Sequence, residues 1–313
     1  MSPPTPVAVV FPGQGSQKPG MARDFHDEFA VSRAVFEEAS DALGWDVRAV
    51  CFEDDPRLDQ TEITQPALLT AEIAMLRALS AEHGLRPTWF GGHSLGEYTA
   101  LCAAGALPLA TAVRIVHRRG ALMQRAVPLG AGAMVAVVAD GIAERDLVRE
   151  LVDLEVDVAN LNAPAQVVLS GMAPAVERAT AWLSEQLLGT PHDFVLLNVS
   201  APFHSRWMRG IEDELRAVLE DARGEFAADL AATVTSNLTG RFHRPDPSEV
   251  IDALTRQIGA TVDWIGDMRA LAEAAATIVE VGPSRPLRGF FRALGREVVS
   301  VVSVRTAQKG LGA

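Results

Sequence analysis

The spacing of apolar residues changes several times along the chain, and each change predicts an element. Val7 to Phe11 is an unbroken β-branched run that stops at Pro12-Gly13-Gln14-Gly15-Ser16, the pattern of a buried strand ending in a glycine loop. From Asp27 to Leu43, Phe29, Phe36, Ala39 and Leu43 return to one side at helical spacing. From Gln65 to Ala81, Leu68, Leu69, Ile73, Leu76 and Leu79 do the same, with Pro66 suited to a first helical turn. Trp89-Phe90 runs into Gly91-Gly92-His93-Ser94-Leu95-Gly96, and helical spacing resumes from Glu97 to Ala106. Strand, sharp turn and helix in succession is an α/β signature.

The middle of the chain reads differently. Ala133–Val138 predicts a strand, Ile142–Leu151 a helix, and Val156–Leu161 with Gln166–Ser170 a hairpin around Asn162-Ala163-Pro164. Pro174–Leu188 predicts a helix and Phe194–Val199 a last strand. The order β-α-β-β-α-β is that of a ferredoxin-like unit, so residues 133–198 are expected to form a small inserted domain. Residues 1–132 and 199–313 are expected to form one larger, discontinuous α/β domain. Thr277–Val281, ending in Gly282-Pro283, and Val298–Val304 are further strands of its sheet.

Composition narrows the class. The chain has 313 residues, 48% of them apolar and 22% charged, which suits a globular protein with a sizeable core. A net charge of -12 argues against nucleic acid as a partner. No apolar run reaches the ~20 residues of a membrane helix, and Met1–Pro6 lacks the pattern of a secretory signal, so a cytoplasmic protein is expected. Two cysteines, Cys51 and Cys102, make neither a disulfide framework nor a metal cluster, and no metal is expected. Only Lys18 and Lys309 are lysines; every other fixed positive side chain is arginine, as a GC-rich genome produces.

Gly92-His93-Ser94-Leu95-Gly96 fits the G-x-S-x-G nucleophile elbow, in which the glycines let a strand turn sharply into a helix and lift a serine hydroxyl out of the sheet. The competing reading is a structural turn with an N-cap serine. A serine needs a base. His26, His83, His192 and His243 lie in polar stretches and read as surface residues; His93 points away from Ser94, and His117 lies among arginines. His204, in Ser200-Ala201-Pro202-Phe203-His204-Ser205 just after the inserted unit, is the candidate base. Arg114, Arg118 and Arg119 share a helical stretch, Thr111 to Ala126; they read either as a solvated face or, for Arg119, as an anion clamp. Gln14 lies in a glycine turn whose backbone N–H groups suit an oxyanion, and the loop lacks the Gly-Lys-Ser/Thr of a phosphate-binding P-loop.

An ordered set of motifs then carries a resemblance: Phe11 to Gln17, Gln65-Pro66-Ala67, Gly92 to Glu97, Arg119-Gly120 with Met123-Gln124, Gly132-Ala133-Met134, Asn160 to Gly171, and Glu280-Val281-Gly282-Pro283. From about residue 7 to residue 304 the chain resembles malonyl-CoA:acyl carrier protein transacylases and the related polyketide synthase acyltransferases. The resemblance implies an α/β-hydrolase-like large domain with an inserted ferredoxin-like small domain. It implies Ser94 as nucleophile, His204 as general base and acid, and the N–H groups of Gln14 and Leu95 as oxyanion hole. It implies Arg119 as the partner of a malonyl carboxylate, with Gln65 and Asn162 lining the same cleft. In this family a backbone carbonyl orients the histidine. Its loop, usually Asn-Pro-Val-x-Trp, is here Ala260-Thr261-Val262-Asp263-Trp264, leaving the Asp263 carbonyl or its side chain as the candidate. In the polyketide relatives Phe203 and Leu95 match residues that accompany malonyl, Phe203 filling the space of a methyl branch; excluding one methyl is worth only ~1–3 kcal/mol.

The implied activity is ping-pong transfer of malonyl from CoA to the phosphopantetheine thiol of an acyl carrier protein, in fatty acid or polyketide synthesis, with no bound cofactor. The alternatives are another substituted or carrier-bound acyl group, an editing acyl hydrolase, whose relatives lack the arginine, and a non-catalytic docking module. Ser200 to Met208 leans toward the trans-acting polyketide enzymes. Because carrier proteins are acidic, a local basic patch is needed. Arg285, Arg288, Arg292 and Arg296, on one side of a helix, are the candidates against an ordinary solvated face.

Overall fold

The computed structural model describes residues 5–199 and 201–312. Met1–Pro4 of the Pro-rich start, Ser200 of the Ser200–Ser205 segment, and Ala313 lie outside the described residues. The fold is α/β, with a parallel and an antiparallel sheet.

In the parallel sheet, β1 (Val7–Phe11) pairs with β2 (Trp89–Gly92) on one side. The antiparallel sheet is built from β3 (Gly132–Ala139), β4 (Val156–Ala163), β5 (Gln166–Met172) and β6 (His192–Leu196) in the order β4-β5-β3-β6. A short pair follows, β7 (Thr235–Ser236) and β8 (Arg241–Phe242). β9 (Thr277–Val281) and β10 (Val299–Val301) complete the parallel sheet in the order β10-β9-β1-β2.

β1 has no polar side because both of its faces are covered. Val9 and Phe11 pack into a large core with the helices Ala30–Leu43, Thr61–Glu82 and Leu109–Arg125. Ala8 and Val10 pack on the other face with Trp264, Met268, Leu271 and Phe291. The antiparallel sheet divides its residues by the same period of two. Val135, Val137 and Ala139 join Ala175, Val176, Ala179 and Leu183 of the helix Ala173–Gln186 in a separate small core. Met134 and Ala136 face the opposite way, toward the large core and a cavity between the sheets. β4 is stitched to the segment just before the helix Trp264–Ala274: Leu161 N–H donates to Val262 O at 3.0 Å and Val262 N–H to Ala159 O at 2.8 Å.

Several predicted boundaries shift. The Asp27–Leu43 helix breaks at Phe29, which is extended (φ -114°, ψ 127°) between the helices Arg23–Glu28 and Ala30–Leu43. Ile142–Leu151 is not one helix but a 3-10 turn (Ile142–Glu144) and a single α turn (Leu147–Glu150) restarted by Asp146 as N-cap. The last strand stops at Val301, because the Ser303 hydroxyl accepts from Thr306 N–H and starts the helix Val304–Leu311. Arg296 lies beyond the helix Pro286–Ala293, its guanidinium turned onto the Ala272 and Ala275 carbonyls, so it leaves the predicted arginine stripe.

Glu280, at the end of β9, anchors that helix. Its carboxylate accepts from Leu287 N–H at 2.8 Å, Arg288 N–H at 3.2 Å and the Ser300 hydroxyl at 2.9 Å. A negative group at a helix N-terminus satisfies amides that have no partner within the helix. No helix among the described residues is long and apolar enough to cross a membrane.

Candidate active site

Ser94 stands between β2 and the helix Leu95–Ala103 with φ +54° and ψ -101°, a conformation that L residues rarely adopt. The surrounding glycines make it possible. A Cβ on Gly92 would lie 2.0 Å from the Gly96 carbonyl oxygen, and one on Gly96 would lie 2.2 Å from the Phe11 carbonyl oxygen. Both neighbours are backbone and have nowhere to move. Gly96→Ala is therefore expected to cost at least ~3 kcal/mol, read as a large fall in melting temperature or loss of soluble protein. The Ser94 side chain does not cap the helix. It faces the cavity instead, which removes the N-cap reading.

His204, 4% exposed, meets it there: Ser94 Oγ and His204 Nε2 are 2.7 Å apart. His204 Nδ1 lies 2.9 Å from the Gln257 carbonyl. With Nδ1–H donating to that carbonyl, Nε2 is left to accept the Ser94 proton. Burial first, and the Arg119 charge second, push the imidazole down to about 3, so it is neutral at physiological pH. His204 has φ +55°, a second strained residue facing the first.

The orienting carbonyl corrects the expectation for Asp263. Asp263 is the N-cap of the helix Trp264–Ala274: its carboxylate accepts from Gly266 N–H at 2.9 Å, and its own N–H donates to Asn237 O at 2.8 Å. Neither its carbonyl nor its side chain is the partner of His204.

Arg119 is 1% exposed, whereas Arg114 and Arg118 on the same helix are exposed. Its guanidinium donates to Gln65 Oε1 (2.9 Å), Ser94 Oγ (3.1 Å) and Gln257 Oε1 (2.8 Å), and lies over the Tyr98 ring at 5.2 Å. Its Nε is buried with no hydrogen-bond partner among the described residues. A cavity of about 300 Å³ opens at this point. Gln14, Leu95, Gln65, Asn162 and Phe203 all line it, as do Pro286, Leu287 and Phe290 from the helix that Glu280 anchors. Leu95 is the first residue of its helix, so its N–H has no intrahelical partner. His93 reaches across the cavity to β4 of the antiparallel sheet, its Nε2 2.8 Å from Asn162 Oδ1, and Asn162 Nδ2 donates to Gln166 Oε1 at 3.1 Å.

Four buried residues, none of them a candidate site residue in the sequence, hold this arrangement from below. Gln257 Nε2 donates to Ser94 O at 3.0 Å and to Glu97 Oε2 at 2.7 Å. Asn237 Oδ1 accepts from Ser94 N–H at 2.6 Å, while its Nδ2 donates to Gly92 O at 2.8 Å. His243 corrects a second expectation: it is buried, not a surface residue, with Nε2 2.9 Å from Glu97 Oε1. Of the four, only Glu97 carried a signal, as the last residue of Gly92-His93-Ser94-Leu95-Gly96-Glu97. Arg285 and Arg292 are exposed and Arg288 half-buried, at the start and along the outer side of the helix Pro286–Ala293 beside the cavity.

A hydroxyl held on a neutral imidazole, beside helix-terminal amides and a buried guanidinium, is equipped for acyl transfer to and from serine with an anionic acyl group. The chain's relatives agree with that chemistry. Residues 8–283 match the family model described as acyl transferase domain. The Malonyl CoA-acyl carrier protein transacylase of Bacillus subtilis (strain 168) is 35% identical over 300 residues, covering 94% of this chain and 92% of the relative. That of Escherichia coli (strain K12) is 37% identical over 291 residues, 91% of each. A malonyl-transacylase solved in complex with its type II PKS acyl-carrier protein superposes with a TM-score of 0.87 at 34% identity, over 98% of this chain and 99% of that one. The chain belongs to the acyl transferase family that includes the malonyl CoA-acyl carrier protein transacylases.

Proposed function

We propose that this protein transfers malonyl groups from CoA to the phosphopantetheine thiol of an acyl carrier protein. The observation that carries the reading is the buried Arg119 guanidinium, donating to the same Ser94 oxygen that His204 holds. A carboxylate is the natural partner for a desolvated guanidinium with a donor to spare; an acetyl or long-chain acyl group would leave it unpaired. That is also what speaks against an editing hydrolase, whose acyl groups carry no such charge.

In this reading Ser94 is the nucleophile. His204 takes the Ser94 proton as the oxygen attacks the thioester carbonyl, and the developing oxyanion meets the N–H groups of Gln14 and Leu95. The tetrahedral intermediate collapses, His204 returns the proton to the CoA sulfur, and malonyl stays on Ser94. The carrier thiol then attacks with His204 again as base. Arg119 and Gln65 hold the malonyl carboxylate, Phe203 limits branching at the carbon beside it, and Asn162 faces the thioester arm. CoA enters as substrate and no bound cofactor is required.

The domain reading goes with this. We assign residues 133–198 to a ferredoxin-like small domain, supported by the β4-β5-β3-β6 order, and the remainder to an α/β-hydrolase-like domain that carries Ser94 and His204. Arg285, Arg288 and Arg292, beside the cavity mouth, would receive the acidic carrier protein or the CoA phosphates. The setting is cytoplasmic, where both substrates occur.

The test is intact-protein mass spectrometry after brief mixing with malonyl-, methylmalonyl- and acetyl-CoA in competition. Wild type is expected to gain a malonyl adduct that Ser94→Ala does not. Release of free CoA without an adduct would put hydrolysis ahead.

A further inference from the structure

Arg119 presents a problem of charge. It is 1% exposed, yet its hydrogen-bond acceptors, Gln65 Oε1, Ser94 Oγ and Gln257 Oε1, are all neutral; no Asp or Glu oxygen is among them in the described residues. A guanidinium buried without a counter-charge is costly, whereas a direct salt bridge would occupy the edge a substrate carboxylate needs.

Glu97 resolves both demands. It is fully buried, and its carboxylate collects three donors: Gln257 Nε2 at 2.7 Å, Asn237 N–H at 3.1 Å and His243 Nε2 at 2.9 Å. The Gln257 amide spans the gap. Its Oε1 faces Arg119 and its NH2 faces Glu97, so the negative end of its dipole lies against the cation and the positive end against the anion. Its NH2 also donates to Ser94 O, which fixes that orientation against a flip. The other buried acid nearby, Asp267, accepts from Asn237 Nδ2 at 2.6 Å and makes no hydrogen bond to Arg119 or Gln257; burial and the neighbouring Glu97 push its carboxyl well above the usual range. His243 supplies the remaining contact with Glu97.

We propose that Glu97 is the counter-ion of Arg119, acting at one remove through the Gln257 side-chain amide. Glu97 is a positioning residue: it keeps the clamp charged and buried in the free enzyme while leaving the guanidinium edge open. This rests on reading Arg119 as the partner of the substrate carboxylate.

A double-mutant cycle on the full chain tests it, with thermal unfolding of wild type, Glu97→Gln, Arg119→Gln and the double variant. Glu97→Gln alone is expected to lower the melting temperature by several degrees, and clearly less when Arg119 is already glutamine, because there is no longer a charge to balance. Equal losses in the two backgrounds overturn the proposal. If Glu97→Gln does not fold, the double variant is expected to recover soluble protein, and failure to do so while Arg119→Gln folds overturns it as well. Where Glu97→Gln folds, the ratio of malonyl to acetyl loading on Ser94 is expected to rise on the order of tenfold, since the charge opposing an incoming carboxylate is gone. A loss of packing alone would not raise it, and an unchanged or lower ratio overturns the proposal. If Arg119→Gln leaves the wild-type ratio intact, the clamp reading fails and the proposal with it, by a result separate from the cycle.

Discussion

Arg119→Ala is expected to slow malonyl loading of Ser94 by about 10²–10³-fold while changing acetyl loading by less than about tenfold. Truncating one side of a buried, hydrogen-bonded charge pair costs ~2–5 kcal/mol, and each ~1.4 kcal/mol is a factor of ten in rate. The malonyl carboxylate would lose its only cationic partner among the residues lining the cavity. Acetyl has no carboxylate to lose, so its loading reflects only the lost contact with Ser94 Oγ and the loosening of Gln65 and Gln257 around the site. Arg119→Lys is not expected to restore malonyl loading. An ammonium is a point donor, and it cannot keep contact with Gln65, Gln257 and Ser94 while also pairing with a planar carboxylate. Single-turnover acyl-enzyme formation with the two thioesters measures both rates. A parallel fall for malonyl and acetyl would mean that Arg119 holds the catalytic pair together and does not select the acyl group.

What the sequence carried and what it did not follows from how local each signal is. The elbow was legible because its constraint is local: the glycines at 92 and 96 exist to relieve backbone contacts within one turn and with the adjacent strand. β1 was legible because a strand buried on both faces leaves an unbroken apolar run. Arg119 was one of three arginines on a helix, and only the packing of that helix against Thr61–Glu82 separates it from its exposed neighbours. His243 and Gln257 were illegible for the opposite reason. His243 lies in a polar stretch and Gln257 at the end of an amphipathic helix, and nothing in their neighbours announces that Glu97, well over a hundred residues away in sequence, will bury against both. Asp263 misled because position in a motif fixes the backbone path and not the identity of the carbonyl that reaches the histidine. Once Asp263 serves as a helix N-cap, the Gln257 carbonyl takes that place.

The second large effect belongs to His204. Replacement by alanine is expected to slow malonyl loading by ~10²–10⁴-fold, the usual contribution of a positioned general base. The pH dependence discriminates further. An ordinary histidine would halve the wild-type loading rate near pH 6.5, but with the imidazole pushed down to about 3 by burial and by Arg119, the rate is expected to stay flat from roughly pH 8 to pH 5. The same shift acts on stability. The unfolded chain binds this proton more readily than the folded protein, so stability is full above the unfolded value and falls as pH drops from about 6.5 toward about 3. A shift of that size limits the loss to ~5 kcal/mol. His204→Ala removes this contribution, so between pH 7 and pH 4 the variant is expected to lose less stability than wild type, even though it is the poorer catalyst at every pH. Denaturant unfolding at the two pH values checks the stability change, and single-turnover loading across the range checks the rate. A wild-type midpoint near 6.5 would show an imidazole that water still reaches. The neutral state of the base would then come from ambient pH, and burial and the Arg119 charge would not be what sets it.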